Sequence, residues 1–551
     1  MMRFLFLYFV PGILLFTSCG IKRSLENRPD ISEIEKIDTT RIKHNDSVYS
    51  IGKNSLSKNQ YGIWELYVEG DPLERGLVTG SLTRELMHKQ ERAIFDKMET
   101  LVPSRGYQAF LSKIINYFNR KIYLHVPEEY KAEIYGVSRF ALKEYNSFAP
   151  PYIRALYLHG AHDIGHALQD LMLVGCTSFA AWDNKTADGQ LLIGRNFDFH
   201  VSDEFAEEKI AAFINPSEGH KFMMYTWGGM MGVVSGMNEK GLTVTINAGK
   251  SRIPLLAKTP ISLVAREILQ YAGNTSEAIE IAKNREVFVS EAIMIGSGAE
   301  RKAILIEVSP NNFGVYEVHN TNQLICSNHF QSEAYLEDRR NEKAKIESHS
   351  FYRYERMQEL LEDGEALTPE RAVKILRNKE GLKDIAIGLG NEKAINQLLA
   401  HHGIIFKPEE KKVWISANPY QMGAFVAYDL DVAFQTFMKG AEPKSVAING
   451  LTIPRDNFIR TREFKNYLEY RKLNAEILLK DLKVGEDSII NLIALNPGNW
   501  KTWALAGEYY YRNKEYKKAL IHFKQAQNRE VTTLPDEKWL AKMIKKSYRK
   551  F

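Results

Sequence analysis

Hydrophobic and polar positions alternate differently along successive stretches of the chain. From about residue 59 to Gly175 apolar residues recur at helical spacing, as in LERGLVTGSLTRELMHKQERAIFDKM and EEYKAEIYGVSRFALKEY, with Pro150-Pro151 breaking the run. From Cys176 to about Leu430 short apolar segments of strand type take over, among them KFMMYTW, GLTVTINA, AIMIGSG, KAILIEVS and KKVWISA, interrupted by helical stretches such as ISLVAREILQYA. Aromatic and aliphatic residues flank the polar cluster DNKTADG, which predicts a β-hairpin with its turn at Asp183 to Gly189 and its centre near Thr186. Helical and strand patterns segregated in this way predict the α+β class.

The two ends read differently from the middle. Near the C-terminus, WALAGEYYYRNKEYKKALIHFKQA places Gly507, Tyr510, Ala519, Phe523 and Ala526 at the spacing of a tetratricopeptide-like helical hairpin, after a break at Pro497. One such unit cannot bury its apolar face alone, so helices around Tyr467 to Leu482 and Pro535 to Tyr548 are expected to cover it. That surface suits a protein partner or a structural cap against the rest of the chain. At the N-terminus, Arg3 precedes an apolar run to Phe16 and small residues before Cys19, the layout of a secretory signal. The run is shorter than the about 20 residues of a comfortable membrane span. FTSC resembles a bacterial lipobox, which implies lipidation of Cys19 and a membrane anchor in the cell envelope. Residues 20–58 are polar and unpatterned, and read as a tether.

Composition narrows the function classes. The chain has 551 residues, 44% of them hydrophobic, enough for a large core and more than one domain. Its 73 basic and 68 acidic side chains are interspersed and leave a formal charge of +5, which gives no footprint for nucleic acid. Only Cys19, Cys176 and Cys326 occur. With Cys19 assigned to lipid, the other two either form a disulfide or leave Cys176 free as a nucleophile with Cys326 as a buried strand residue sharing a face with Asn328.

Chemistry concentrates in GCTSFAAWDNKTADGQLLIGRNFDF, from Gly175 to Phe199. Folding this hairpin about Thr186 sets Asn196 opposite Cys176 and brings Arg195 and Asp198 within reach of the sulfur. A cysteine needs thiolate character, which a cation such as Arg195 favours, and a base to take its proton. The cysteine's own α-amine, with a pKa of about 7.7–8.0, suits that task if the chain is cut between Gly175 and Cys176. Gly175 has no side chain to obstruct such a cut, and Asp198 would hold the new amine.

These residues resemble the N-terminal-nucleophile hydrolases related to acyl-CoA:6-aminopenicillanate acyltransferase, choloylglycine hydrolases and acid ceramidase. The resemblance rests on Cys176-Thr177-Ser178, on Gly194-Arg195-Asn196-Phe197-Asp198, on GMNEKGLTVTINA ending near Asn247, on ICSNHF with Asn328, and on SFYRYER with Arg353. It covers roughly Gly62 to Leu430, and GDPLERGLVTG upstream is typical of the acyltransferase branch. It implies a four-layer α/β/β/α sandwich, autocleavage at Gly175-Cys176, oxyanion contacts from Asn247 and Asn328, and Arg353 near the site. No cofactor or metal is implied. The resulting organisation is a lipoprotein signal at 1–18, a tether at 19–58, a helical pro-segment at 59–175, a catalytic domain at 176–445 and a helical extension at 446–551.

The function this predicts is an exported, membrane-anchored cysteine amidohydrolase or acyltransferase. It would act on an N-acyl amine through an acyl-thioester, with the two cut chains staying associated. Rival chemistries are weaker. His159, His162 and His166 have a helical spacing that could face zinc, but no HExxH accompanies them. Ser297 lies in GSG without the spacing of a nucleophile elbow. The non-enzymatic alternative is a surface lipoprotein whose helical tail binds a partner. The lipobox-like segment makes a direct prediction: Cys19→Ala should release the protein from membranes or block its processing, read by detergent partitioning and by lipid mass on the wild type.

Overall fold

The computed structural model describes residues 18–160, 163, 174–250, 256–440 and 444–551. The signal segment up to residue 17 and the side chain of Cys19 lie outside the described residues. Among these residues, strands β1 to β17, numbered in chain order, form two sheets.

The larger sheet has eleven strands. Its order is β1 (Ile42–Asn45), β2 (Val48–Ile51), β3 (Asn54–Lys58), β4 (Trp64–Gly70), β7 (Lys209–Pro216), β8 (Phe222–Trp227), β9 (Ser235–Asn238), β10 (Leu242–Ala248), β11 (Glu291–Ser297), β12 (Lys302–Ser309) and β13 (Asn312–Tyr316). The smaller has six, ordered β14 (Gln323–Cys326), β5 (Val174–Asp183), β6 (Gly189–Phe199), β15 (His402–Lys407), β16 (Lys412–Ser416) and β17 (Phe425–Asp429). Every pairing is antiparallel except β4 with β7, where Trp64 lies beside Ile210 and the strands run the same way.

Period-two alternation sends each strand's side chains to two different cores. Tyr67, Phe213, Tyr225 and Met294 of the large sheet share one buried cluster with Ala180, Ile193, Ile404 and Val426 of the small one, so the sheets face each other. On the other face of the large sheet Leu66, Ile210, Val244 and Ile304 pack with Val78, Leu82, Val264 and Ile268 from the helices Pro72–Leu82 and Ile261–Tyr271. On the other face of the small sheet Phe179, Leu192 and Ile405 pack with Met357, Val373 and Leu376 from the helices Ser350–Leu361 and Pro369–Leu376. Each fully buried Leu, Ile or Phe contributes roughly 1.5–3 kcal/mol to this stacking.

Two of the sequence expectations are corrected here. The stretch 19–58, read as a tether, contains β1 to β3, which pair in series onto β4. The segment 59–175, read as helical, contributes β4 to the interior of the large sheet before its helices begin at Pro72. Polar residues mask these strands: β1 is exposed along its whole length and β3 reads NSLSK.

Five helices make up the end of the chain: Arg462–Leu479, Glu486–Leu495, Trp500–Arg512, Tyr516–Gln527 and Leu534–Lys550. Tyr467, Tyr510, Ala519, Phe523, Ala526 and Leu540 share one apolar cluster. Gly507 is required by close approach, since a Cβ there would sit 2.5 Å from the Phe523 ring. The same cluster takes in Leu389, Leu398 and Met422, and the Nδ2 atoms of Asn496 and Asn499 donate to the Leu389 carbonyl at 2.9 and 3.0 Å. The helical end is thus packed on the loop that precedes β15.

Gly194 of β6 is likewise a packing glycine. It pairs with Phe179 of β5, and a Cβ at Gly194 would lie 2.5 Å from two carbons of that ring. Gly194→Ala should therefore lower stability by about 1–3 kcal/mol, and combining it with Phe179→Leu should recover part of the loss. Denaturant unfolding of both single variants and the double checks this.

Candidate active site

The hairpin of β5 and β6 forms around the predicted turn, with a one-residue difference. Asp183 faces Gly189, but the ladder slips between Ala181 and Asp183. Cys176 consequently faces Phe197, not Asn196, while Ser178 faces Arg195 and Gly175 faces Asp198. Directly opposed residues lie on the same face. The slip therefore directs Cys176, Ser178, Arg195 and Phe197 toward the large sheet, and Gly175 and Asp198 toward the helices.

Cys176 is fully buried and each of its polar atoms is held. Arg195 Nη2 approaches the sulfur at 3.7 Å. The main-chain N–H donates to Asn328 Oδ1 at 3.0 Å, and the carbonyl accepts from Arg353 Nη1 at 2.7 Å. Arg353 Nη2 also donates to Asn328 Oδ1 at 2.6 Å, while Asn328 Nδ2 donates to the Ala248 carbonyl at 2.9 Å. This fixes which way the Asn328 amide points. Arg353 occupies the first turn of the helix Ser350–Leu361, and its Nε donates to His349 Nδ1 at 3.2 Å.

Asp198 and Asn247 also lie beside the cysteine strand, each held by other groups in the uncut chain. Asp198 Oδ2 accepts from Gln397 Nε2 at 3.2 Å. Asn247 Oδ1 accepts from the Ser178 hydroxyl at 2.9 Å, and its Nδ2 donates to the Cys326 carbonyl at 3.2 Å, so its hydrogen bonds go to neighbours of Cys176. Asn328 lies past the end of β14, which stops at Cys326. Cys326 itself faces Ser178 on β5, and both Cys176 and Cys326 are free thiols, which removes the disulfide alternative.

Burial dominates the electrostatics. It pushes the Cys176 thiol up to about 11, against the pull of the Arg195 cation, so in the continuous chain the arginine does not make a thiolate at neutral pH. Burial also pushes the Asp198 carboxyl up to about 7, opposed by Arg353 and Arg195. Both guanidiniums are themselves lowered by desolvation.

Sequence reasoning did not find Gln397, His349 or Ser235. A Cβ on Gly175 would lie 2.9 Å from Gln397 Nε2 and 3.4 Å from His349 Cε1, so these side chains close over the Gly175-Cys176 bond. Ser235 Oγ accepts from Arg195 Nη1 at 2.6 Å. Each comes from a distant element and belongs to no local motif. Of the proposed zinc set, His159 is buried with Nδ1 on the Ala155 carbonyl at 2.8 Å and Nε2 accepting from the Met231 amide at 2.9 Å, so both ring nitrogens are engaged. His162 and His166 lie outside the described residues. The Ser297 hydroxyl accepts from the Glu300 amide at 3.3 Å at the end of β11.

A mostly apolar cavity of about 290 Å³ lies at the end of β6, lined by Met98, Leu101, Phe199, Phe205, Trp227 and Met230 among others. Its wall continues toward the cysteine. Phe197, which faces Cys176, stacks on Phe199 and Trp227 with ring centroids 5.6 and 6.3 Å apart.

Comparison with known proteins finds similarity over part of this chain. Residues 184–419 match the family described as acyl-coenzyme A:6-aminopenicillanic acid acyl-transferase, a span that starts just after Cys176 and takes in Arg195, Asp198, Asn247, Asn328 and Arg353. An uncharacterized protein of Archaeoglobus fulgidus is 27% identical over 281 residues, 46% of this chain and 45% of that one. Protein dcd1B of Dictyostelium discoideum is 24% identical over 293 residues, 50% of this chain and 55% of that one. The chain spans about half the length of these curated relatives. Among solved structures, the Caenorhabditis elegans N-acylethanolamine-hydrolyzing acid amidase ortholog is similar over 42% of this chain and 93% of its own, with 18% identity and a TM-score of 0.30. A mutant of conjugated bile acid hydrolase from Clostridium perfringens is similar over 46% and 92%, with 16% identity and a TM-score of 0.32.

Proposed function

We propose that this chain is a cysteine amidohydrolase or acyltransferase of the N-terminal-nucleophile type, activated by cleavage between Gly175 and Cys176. The observation that carries the reading is the grip on a single residue: Asn328 on the nitrogen, Arg353 on the carbonyl and Arg195 on the sulfur of Cys176. The match of residues 184–419 to an acyltransferase family supports the same chemistry. The stacked sheets with helices outside each support reading the fold as a four-layer α/β/β/α sandwich, with a tetratricopeptide-like helical extension.

In this reading the sulfur attacks the Gly175 carbonyl carbon. The Gly175-Cys176 C–N bond breaks, and the thiol proton ends on the Cys176 nitrogen. Water then hydrolyses the thioester, leaving a carboxylate on Gly175 and a free α-amine on Cys176. That amine serves as the base for turnover. It takes the thiol proton as sulfur attacks the substrate amide and returns it to the departing amine, and water or another acceptor removes the acyl group. For Asn247 and Asn328 to provide the oxyanion contacts, their Nδ2 groups turn from the Cys326 and Ala248 carbonyls that they hold in the uncut chain, and Asp198 balances the ammonium. The apolar cavity beyond Phe197 suits the acyl portion of an N-acyl amine. A lipid anchor at Cys19 would hold the enzyme at a membrane, and the helical end would cap the domain or bind a partner.

Cys176→Ala should remain one chain and be inactive. The wild type should give two fragments, the second beginning at Cys176, and hydrolyse members of an N-acyl amine panel, as read by intact mass and product analysis. Wild type that turns over substrate while uncut would sink the N-terminal-nucleophile mechanism.

Asp198 generates a second prediction. Folded, it keeps its proton up to about pH 7, whereas an unfolded aspartate loses it near about 3.9. The folded state therefore binds more protons across that window, and its stability falls as pH rises through it. Asp198→Asn should flatten this decline, so that its stability gain over wild type grows from pH 5 to pH 8 by on the order of 1–3 kcal/mol. Denaturant melts of the uncut Cys176→Ala background at the two pH values test it.

A further inference from the structure

Between the two sheets, next to the cysteine, the chain places polar side chains at positions where its strands otherwise put apolar ones. Ser235 of β9 and His402 of β15 are each followed two residues later by core positions, Met237 and Ile404. Both are buried, and unbonded polar groups there would be costly. They are bonded to each other, and Ser235 is bonded to Arg195.

Arg195 has four contacts around its terminal nitrogens. Nη1 donates to the Val234 carbonyl at 2.9 Å and to Ser235 Oγ at 2.6 Å, and Nη2 meets the Ile246 carbonyl and Cys176 Sγ. The two carbonyls are fixed by the backbone. Ser235 supplies the one side-chain oxygen among these contacts, and a hydroxyl can accept from a guanidinium only when its own hydrogen points elsewhere. His402 Nε2 lies 2.9 Å from Ser235 Oγ and offers that acceptor. His402 must then carry its hydrogen on Nδ1, which lies 2.9 Å from His401 Nδ1 and donates to it. Burial, together with the cations Arg195 and Lys209, holds both imidazoles well below their ordinary range, which keeps them neutral as this sequence of donors requires. Aromatic rings lock the pair in place: the His402 centroid is 4.9 Å from Tyr225 and 5.2 Å from Phe197, and that of His401 is 5.2 Å from Trp227. The chain ends at His401 Nε2, which, like Lys209 Nζ, is buried and without a hydrogen-bond partner among the described residues.

We propose that Ser235 and His402 are positioning residues that hold the Arg195 guanidinium against the nucleophilic sulfur. The inference rests on Cys176 being the nucleophile and adds residues that no motif in the sequence marks. Ser235 acts on Arg195 directly, and His402 acts through Ser235 by orienting its hydroxyl.

The test is mass-resolved iodoacetamide labelling of Cys176 against pH in the processed, full-length protein, which separates it from Cys326. Arg195→Gln should slow labelling at pH 7 by roughly tenfold, because loss of the cation raises the thiol pKa. Ser235→Ala and His402→Leu should each slow it by roughly threefold, with the double variant no slower than the stronger single, since both act on one guanidinium. If Arg195→Gln slows labelling while Ser235→Ala and His402→Leu match wild type, the positioning role is overturned and the cysteine-arginine reading survives. If Arg195→Gln also matches wild type, the parent reading falls. Should His402→Leu not fold, Ser235→Ala decides alone, since it removes a single oxygen atom.

Discussion

A residue with no exposed surface must find partners for its N–H and C=O inside the protein, and Cys176 is such a residue. Its partners come from separated parts of the chain: Asn328 after β14, Arg353 from the first turn of a helix, and Arg195 from the adjacent strand. The small sheet makes this possible by setting β5 between β14 and β6, so that one edge of the cysteine strand meets the Asn328 turn and the other meets the arginine strand. Two fully buried guanidiniums follow from that demand. They are tolerable because backbone carbonyls and side-chain oxygens take up hydrogens of their terminal nitrogens.

The electrostatic balance follows from the same burial. With the Cys176 thiol near 11 and Asp198 near 7, desolvation outweighs the attraction of two nearby cations for each negative form. The continuous chain thus holds a protonated thiol beside fixed positive charge. A free α-amine at Cys176 would bring the proton acceptor that the thiol of the continuous chain lacks. Substrate turnover therefore has a physical reason to wait for cleavage, whereas the cleavage step itself proceeds from the protonated thiol.

Much of the site was legible because it is local. Hairpin alternation around DNKTADG brought Arg195 to Cys176, and the short blocks holding Asn328 and Arg353 keep their side chains on that residue in the fold. Four things were not legible. The slip between Ala181 and Asp183 adds one residue to one strand, which no composition signal marks, yet it exchanges Asn196 for Phe197 opposite the cysteine. The strands β1 to β3 are only four or five residues long, β1 and β3 are largely polar, and their sheet partner β4 has a hydrophobic run that the helices after it obscure. The parallel pairing of β4 with β7 joins Trp64 to Ile210, far beyond any local pattern. Ser235, Gln397 and His402 reach the site through tertiary packing alone.

The parallel pairing of β4 carries a consequence for what a cut chain would be. Everything before Gly175 includes β1 to β4, and β4 lies inside the eleven-stranded sheet, hydrogen-bonded to β3 on one side and β7 on the other. A break between Gly175 and Cys176 would leave that ladder and its apolar face intact. The two pieces would separate only by opening the sheet along β4 and β7, a barrier of the kind that governs global unfolding and not the dissociation of a surface contact. The leading fragment would then be a permanent subunit whose loss on dilution is limited by unfolding kinetics, and not a propeptide that diffuses away once its bond is broken.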